Sequence, residues 1–444
     1  MRVIIMTFFA LMSCQLFGEV KQFTLDNGLK ILVKEDHRAP VVVTMIWYNV
    51  GSADEPGGIT GASHALEHLM FKGTKKYPLG VFSKTIAALG GQANAFTSND
   101  YTAYYEKLAA PHLAKSFDLE ADRMNHLLFD KKEFAHEMKV IQEERRLRVD
   151  DNPQARTLER FLATAHLTAP YNHPVIGWMS DIQQMSVADA KAWYQHFYAP
   201  NNATLVVVGD VKAQNVHALA NHYFGQKKKS PQTARHLQKE PPHLGQKTVD
   251  VHTFAQLPMV ILGYLVPTAS TAAGLDANDP YALEIIASLL DAGESARFTS
   301  QLVRGKHLAA NVDVYYNLYA RYQTQFMMYG SPSQNHTTND LKQGILDEIK
   351  RLQTVKVEEK ELKRVKTQIL AQKTFERDSI FAQAMELGLL ETVGLGWQTS
   401  EKYVDRINQV TALQIQNAAI RYFQNKNLTE ALLIPDNAHL GDHK

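Results

Sequence analysis

A single cysteine, Cys14, occurs in 444 residues, so the chain can form neither an internal disulfide nor a cysteine-based zinc cage. It also lacks a basic excess. Lys and Arg total 47 against 46 Asp and Glu, a formal charge of +1, which argues against a general nucleic-acid binder. Apolar runs of about 20 residues are missing too, which excludes a polytopic membrane protein and any integral span. With 45% hydrophobic and 21% charged residues, the composition is not that of a disordered chain. At roughly 100–200 residues per domain, the length predicts two or three domains, each able to bury a core.

The first residues read as an export signal over 1–18. Arg2 is followed by a short apolar run from Val3 to Met12 and a small residue, Gly18. The expected location is the bacterial periplasm. As an alternative, Leu11-Met12-Ser13-Cys14 loosely resembles a lipobox, with Cys14 as the lipid anchor. A mature chain without cysteine suits an oxidising compartment.

Beyond the signal, strand alternation over 21–25 meets the hairpin pair Asn27-Gly28 and a second run, 29–33. Val41 to Tyr48 is also β-rich, and helical periodicity covers Pro111–Leu128 and Lys132–Val149. A polar, basic, proline-containing stretch over 227–245 reads as a linker, with the lysines at 227–229 in solvent. Its two sides echo each other. Trp193 to Tyr198 precedes the strand-like run 202–210, and Arg421 to Phe423 precedes the run 427–436. This repeated helix-to-strand ending predicts an α+β chain of two homologous domains, 19–226 and 246–444, each a mixed or antiparallel sheet packed with helices.

The chemistry concentrates in Ser63-His64-Ala65-Leu66-Glu67-His68-Leu69. Residues three and four apart share a helix face, so His64, Glu67 and His68 fall together. Two neutral imidazoles at i and i+4 can hold one Zn²⁺, and a neighbouring carboxylate can take a proton from water that the metal acidifies. The order is H-x-x-E-H, the inverted form of the zinc-protease motif. A third ligand must come from another element, and the acidic helix around 133–146 offers Glu137, Glu143 and Glu144. Spacing alone does not choose among them. His166, His173 and His307 read as loop or packing histidines.

His64-Ala65-Leu66-Glu67-His68 followed by Glu144 resembles the pitrilysin / mitochondrial-processing-peptidase family of zinc metallopeptidases, peptidase family M16. Gly58-Ile59-Thr60-Gly61, Phe71-Lys72-Gly73-Thr74, Gly90 to Thr97, Asp100-Tyr101-Thr102, Asp122-Arg123-Met124 and Pro174-Val175-Ile176-Gly177 fit the same pattern. The resemblance implies a pair of related α+β domains and one zinc per chain, bound by His64, His68 and Glu144. It further implies Glu67 as general base, Glu137 as a residue orienting the site, and Asn94-Ala95-Phe96 as the strand on which a peptide or unfolded substrate lies. One segment departs from the pattern. Gly293 to Phe298 and Leu302-Val303-Arg304 match the family's substrate clamp, but the Tyr that follows the Arg is replaced by Ala310 or Asn311, and Tyr315 and Tyr316 are out of register. Arg304 is therefore expected to act with one donor missing. That departure implies a homologous partner subunit supplying an Arg/Tyr clamp, or alternatively a homodimer, and leaves a partner-dependent peptide-binding scaffold as the rival reading.

Overall fold

The computed structural model describes residues 18–231, 235 and 238–436. The expected signal, including Cys14, lies outside the described residues except for Gly18. The first half runs β1 (Val20–Thr24), β2 (Lys30–Glu35), β3 (Val41–Tyr48), α1 (Ala62–Leu69), α2 (Val81–Ala88), β4 (Gln92–Thr97) and β5 (Thr102–Ala109). Helices α3 (Leu113–His126), α4 (Lys131–Arg145), α5 (Pro153–Ala165), α6 (Met179–Gln184) and α7 (Val187–Phe197) follow, then β6 (Ala203–Gly209) and α8 (Ala213–Phe224). The second half begins with β7 (Lys247–Thr253), β8 (Met259–Val266), α9 (Asp279–Leu290), β9 (Ala309–Tyr315) and β10 (Thr324–Pro332). It closes with α10 (Thr338–Thr354), α11 (Glu359–Glu376), α12 (Ile380–Thr392), α13 (Thr399–Gln409), α14 (Ala412–Tyr422) and β11 (Leu428–Pro435).

Local chemistry sets the boundaries. Gly28, at φ 87°, turns the β1–β2 hairpin, whose register pairs Thr24 with Lys30. Asp130 caps α4 by accepting from the amides of Lys132 and Glu133, and Asn152 with Pro153 starts α5. Reciprocal capping boxes open α7, α10 and α14. The helix expected to run to Val149 changes at Arg146 into a π-helical turn over Arg146–Asp150.

The two halves share one plan. The first sheet has the order β1-β2-β6-β3-β5-β4, the second β7-β11-β8-β10-β9. In each, the last strand lies parallel to the first strand of the shared core (β6 on β2, β11 on β7), and the remaining pairs are antiparallel. The chain therefore folds as two α+β domains of the same topology. They also exchange helices: α5 packs on β7, β8 and β11, and α12 packs on β3 and β6. This is why β3 is apolar at every position but Thr44. Val42, Ile46 and Tyr48 enter the core shared with α1 and α3, while Val43, Met45 and Trp47 meet Ala384 and Leu387 of α12.

The stretch expected as a solvated linker is partly packed. Ser230 exchanges hydrogen bonds with Asn201, and buried Glu240 accepts from the amides of Thr168 and Ala169. Lys227 donates to the Met124 carbonyl at 2.5 Å and lies 5.5 Å from the Tyr194 ring centre, so burial pushes its pKa down to about 8. A lysine stem covers apolar surface readily, and here the ammonium follows it in.

Candidate metal centre and peptide edge

Helix α1 carries His64, Glu67 and His68 on one face, while Leu66 and Leu69 point into the core. Its start is fixed by a carboxylate. Glu55, buried, accepts from the amides of Gly61 at 2.6 Å and Ser63 at 2.7 Å, satisfying donors that a helix N-terminus leaves open. Burial raises the Glu55 pKa, against the pull of nearby His173 and these two amides. His173 Nε2 donates to the Ser52 carbonyl (3.0 Å) and sits 3.6 Å from Glu55, so it is a packing histidine that steadies this cap. Gly61, at φ 89°, meets Gly177, at φ 87°, back to back; a Cβ on Gly61 would lie 2.4 Å from the Ile176 carbonyl oxygen. Two motif segments far apart in sequence thus meet where no side chain fits.

Helix α4 supplies the carboxylates. Glu144 Oε2 lies 3.7 Å from His64 Nε2 and 3.4 Å from His68 Nε2, and one ligand atom from each residue falls within 4.8 Å of the others. Among the described residues this is the one group of three such side chains close enough to hold a metal ion. Arg148 pairs with the other oxygen of Glu144 at 2.9 Å. Glu143, turned away, pairs with Arg146 instead. Glu137 Oε2 lies 3.2 Å from His68 Nδ1, and its second oxygen pairs with Lys72. Burial works to raise Glu137, but the Lys72 ammonium and His68 outweigh it and hold the carboxyl below its usual range. Burial also drives His64 down to about 3, so its imidazole is neutral, the form that ligates a metal. Its Nδ1 is buried without a partner. Two neutral-capable imidazoles, one carboxylate and a carboxylate behind one imidazole fit Zn²⁺, and leave a coordination position for water.

Glu67 lies beside these groups and accepts from the Thr97 hydroxyl. Burial raises its pKa, opposed by Thr97 and His68. Thr97 ends β4, one of the two outer strands of the first sheet, which packs against α1. One side of β4 therefore has no strand partner, which is where a peptide can add. Asn94 is exposed on this strand and its Oδ1 accepts from the amide of Ala95 at 2.9 Å; Phe96 packs edge-on to Trp47, 5.5 Å between centres.

Sequence reasoning did not single out Glu55, Thr97, Arg148 or Lys72. Glu55, Thr97 and Lys72 act through contacts outside any regular spacing. Arg148, by contrast, lies four residues past Glu144 on the same helical run, an i,i+4 spacing that could have signalled it. Asp122, in another motif segment, accepts from Thr74, which closes the turn after α1. Arg123 is buried between Glu120 and the rings of Phe82 and Tyr104.

Arg304 is not brought to this cluster. It ends a π-helical segment, Phe298–Gly305, is half exposed and forms an ion pair with Glu294. Ala310 and Asn311 are exposed on β9, and Tyr315, the last residue of that strand, faces a cavity between the domains.

Comparison with known proteins agrees with this architecture. Residues 30–177 match the family model described as insulinase (peptidase family M16), and residues 184–369 match the peptidase M16 inactive domain. The zinc protease PqqE of Helicobacter pylori is 34% identical over 82% of this chain and 82% of its own length. A crystal structure of a protease from Helicobacter pylori superimposes with a TM-score of 0.88 at 30% identity, covering 94% of this chain and all of that one. The periplasmic protease PqqL from Escherichia coli shares the fold, with a TM-score of 0.77 at 19% identity, over 94% of this chain and 48% of its own. Among the described residues no helix is long and apolar enough to cross a membrane.

Proposed function

The chain belongs to peptidase family M16, and from that premise we propose that it is a zinc-dependent endopeptidase acting on peptides or unfolded polypeptide segments. The observation that carries this reading is the convergence of His64, His68 and Glu144 beside Glu67, within reach of an outer strand. His64, His68 and Glu144 are the residues that would hold one zinc ion. Bound there, zinc would supply Lewis acidity to the scissile carbonyl and acidify water at the site.

The chain's own groups do the rest. The free edge of β4 takes the substrate as an added strand, so that main-chain hydrogen bonds align it whatever its sequence. Asn94, Ala95 and Phe96 set that register. Glu67 takes a proton from the attacking water and passes it to the departing amine nitrogen, with Thr97 fixing which way the carboxylate points. Glu137 holds Nδ1 of His68 and thereby presents Nε2 to the centre. Arg304, tied to Glu294, contributes through the second domain, and a homologous partner subunit completes the clamp around the substrate. An export signal over 1–18 would carry the enzyme to the periplasm.

The test is metal analysis and cleavage of an unstructured peptide by the purified chain, alone and with a homologous subunit. Supporting results are about one zinc per chain and cleavage lost to a chelator and restored by zinc. Cleavage that persists in the metal-free protein, or none with zinc and a partner present, would reject the reading.

A further inference from the structure

Thr97 of β4 touches Glu67, and the next four residues, 98–101, line a cavity of about 400 Å³ between the two domains. That volume is in the range of pockets that enclose a sizeable ligand group. Its walls are apolar: Leu158 and Leu162 of α5 face Met259, Ile261 and Met327 on the second sheet. Two polar side chains stand out against them. Gln325 is 1% exposed, and both its amide oxygen and its amide nitrogen lack a hydrogen-bond partner. His166, at the end of α5, is 2% exposed, and its Nδ1 is likewise unpartnered. The Tyr319 hydroxyl, which also lines the cavity, is a fourth unpartnered atom. Buried polar groups are almost always paired, so four open atoms lining one cavity mark a place where a ligand's polar groups belong.

The cavity offers no free charge. Asp100, its one carboxylate, already accepts from the Tyr171 hydroxyl at 2.8 Å and from the amide of Arg321 at 2.9 Å. Burial lowers His166 to about 4, so the ring is neutral. A charged group entering here would be desolvated without an opposite partner. An uncharged group with an apolar stem and a polar end would meet both the walls and the open atoms.

Position suggests the source of that group. A strand added to β4 advances about 3.3 Å per residue, and the cavity lining begins at Ser98, one residue beyond the Glu67 contact. A side chain of the same peptide, a few residues from the bond being cut, therefore arrives beside the cavity.

We propose that this cavity is a side-chain pocket for the bound peptide, and that Gln325 and His166 make it select a large uncharged residue with a hydrogen-bonding end, tyrosine or glutamine, over phenylalanine or methionine. The selection rests on the peptidase reading above. A site with paired polar groups rejects an analogue lacking the matching atom, because its own groups are then left unpaired.

The test uses the zinc-loaded full chain, with its partner subunit if one is required, and peptides that differ at one position as Tyr/Phe and Gln/Met pairs. The position is walked along both sides of the cut. At one position kcat/KM is expected to favour Tyr over Phe and Gln over Met by about tenfold or more. Gln325→Leu should collapse both ratios to about one, and His166→Phe should reduce them. Anisotropy of labelled, uncut peptides on the Glu67→Gln protein reads the same preference without chemistry, which separates failure of the pocket from failure of the peptidase assignment. The proposal is overturned if no position discriminates within either pair, or if the ratios survive Gln325→Leu. Should that variant fail to fold, ratios that survive Gln325→Met overturn it equally.

Discussion

Glu137 Oε2 lies 3.2 Å from Nδ1 of His68, and Glu144 Oε2 lies 3.4 Å from Nε2 of the same ring. One imidazole is thus held between two carboxylates of a single helix, one behind it and one at the metal position. Removing the rear carboxylate frees the ring to turn. Glu137→Ala is expected to weaken zinc binding about 10–100-fold, measured by competition with a chelator of known affinity. An unchanged affinity would show that Glu137 serves only Lys72.

Thr97 is the link between the peptide edge and the carboxylate of Glu67. Thr97→Val keeps the shape and removes the donor. It should lower kcat about tenfold, the value of one hydrogen bond to a charged group, with zinc content unchanged. Steady-state kinetics beside metal analysis decides this.

Burial raises Glu284 in α9 from an ordinary 4.5 to about 7, partly offset by Lys373. Its folded-state value lies above its unfolded one, so the fold favours the protonated acid. The associated stability is fully present below about pH 4.5 and is lost as the pH rises through about 7. Against Glu284→Gln, the wild-type protein should lose about 3 kcal/mol between pH 4.5 and pH 8. Denaturant unfolding of both proteins across that range measures it, and parallel pH profiles would contradict it.

Gly388 of α12 lies flat on Trp47 of β3, where a Cβ would come within 2.0 Å of the indole. This contact joins the second half's helix to the first half's sheet. Gly388→Ala should cost about 1–3 kcal/mol of stability, read from the unfolding midpoint at constant slope.

The parts of the fold written in local patterns were legible. The β1–β2 hairpin follows Asn27-Gly28, β3 spans the expected Val41–Tyr48, and the repeated helix-to-strand endings emerge as α7 with β6 and α14 with β11. His64, Glu67 and His68 share a face because helical spacing requires it. Glu144 was not separable from Glu143 by spacing, since what distinguishes them is a tertiary fact: one faces two histidines, the other Arg146. The exchange of α5 and α12 between sheets was also hidden, because an apolar stripe says that a helix packs and not on what. Lys227 looked solvated for a similar reason, since its pocket is built from Met124 and Tyr194, more than 30 residues away.

The motif segments known only by resemblance acquire physical reasons in the fold. Gly61 and Gly177 face each other with no room for a Cβ, Thr74 meets Asp122, and Lys72 meets Glu137. Each contact braces α1, so the pieces are supports for one short helix that carries the chemistry.

The central claim is that Glu67 moves the proton while other residues hold the metal. Glu67→Gln, assayed for zinc content and peptide cleavage in parallel with the wild type, tests it most directly. The account predicts about one zinc per chain in both proteins and cleavage reduced to background in the variant. Undiminished cleavage by Glu67→Gln with its zinc in place would contradict it.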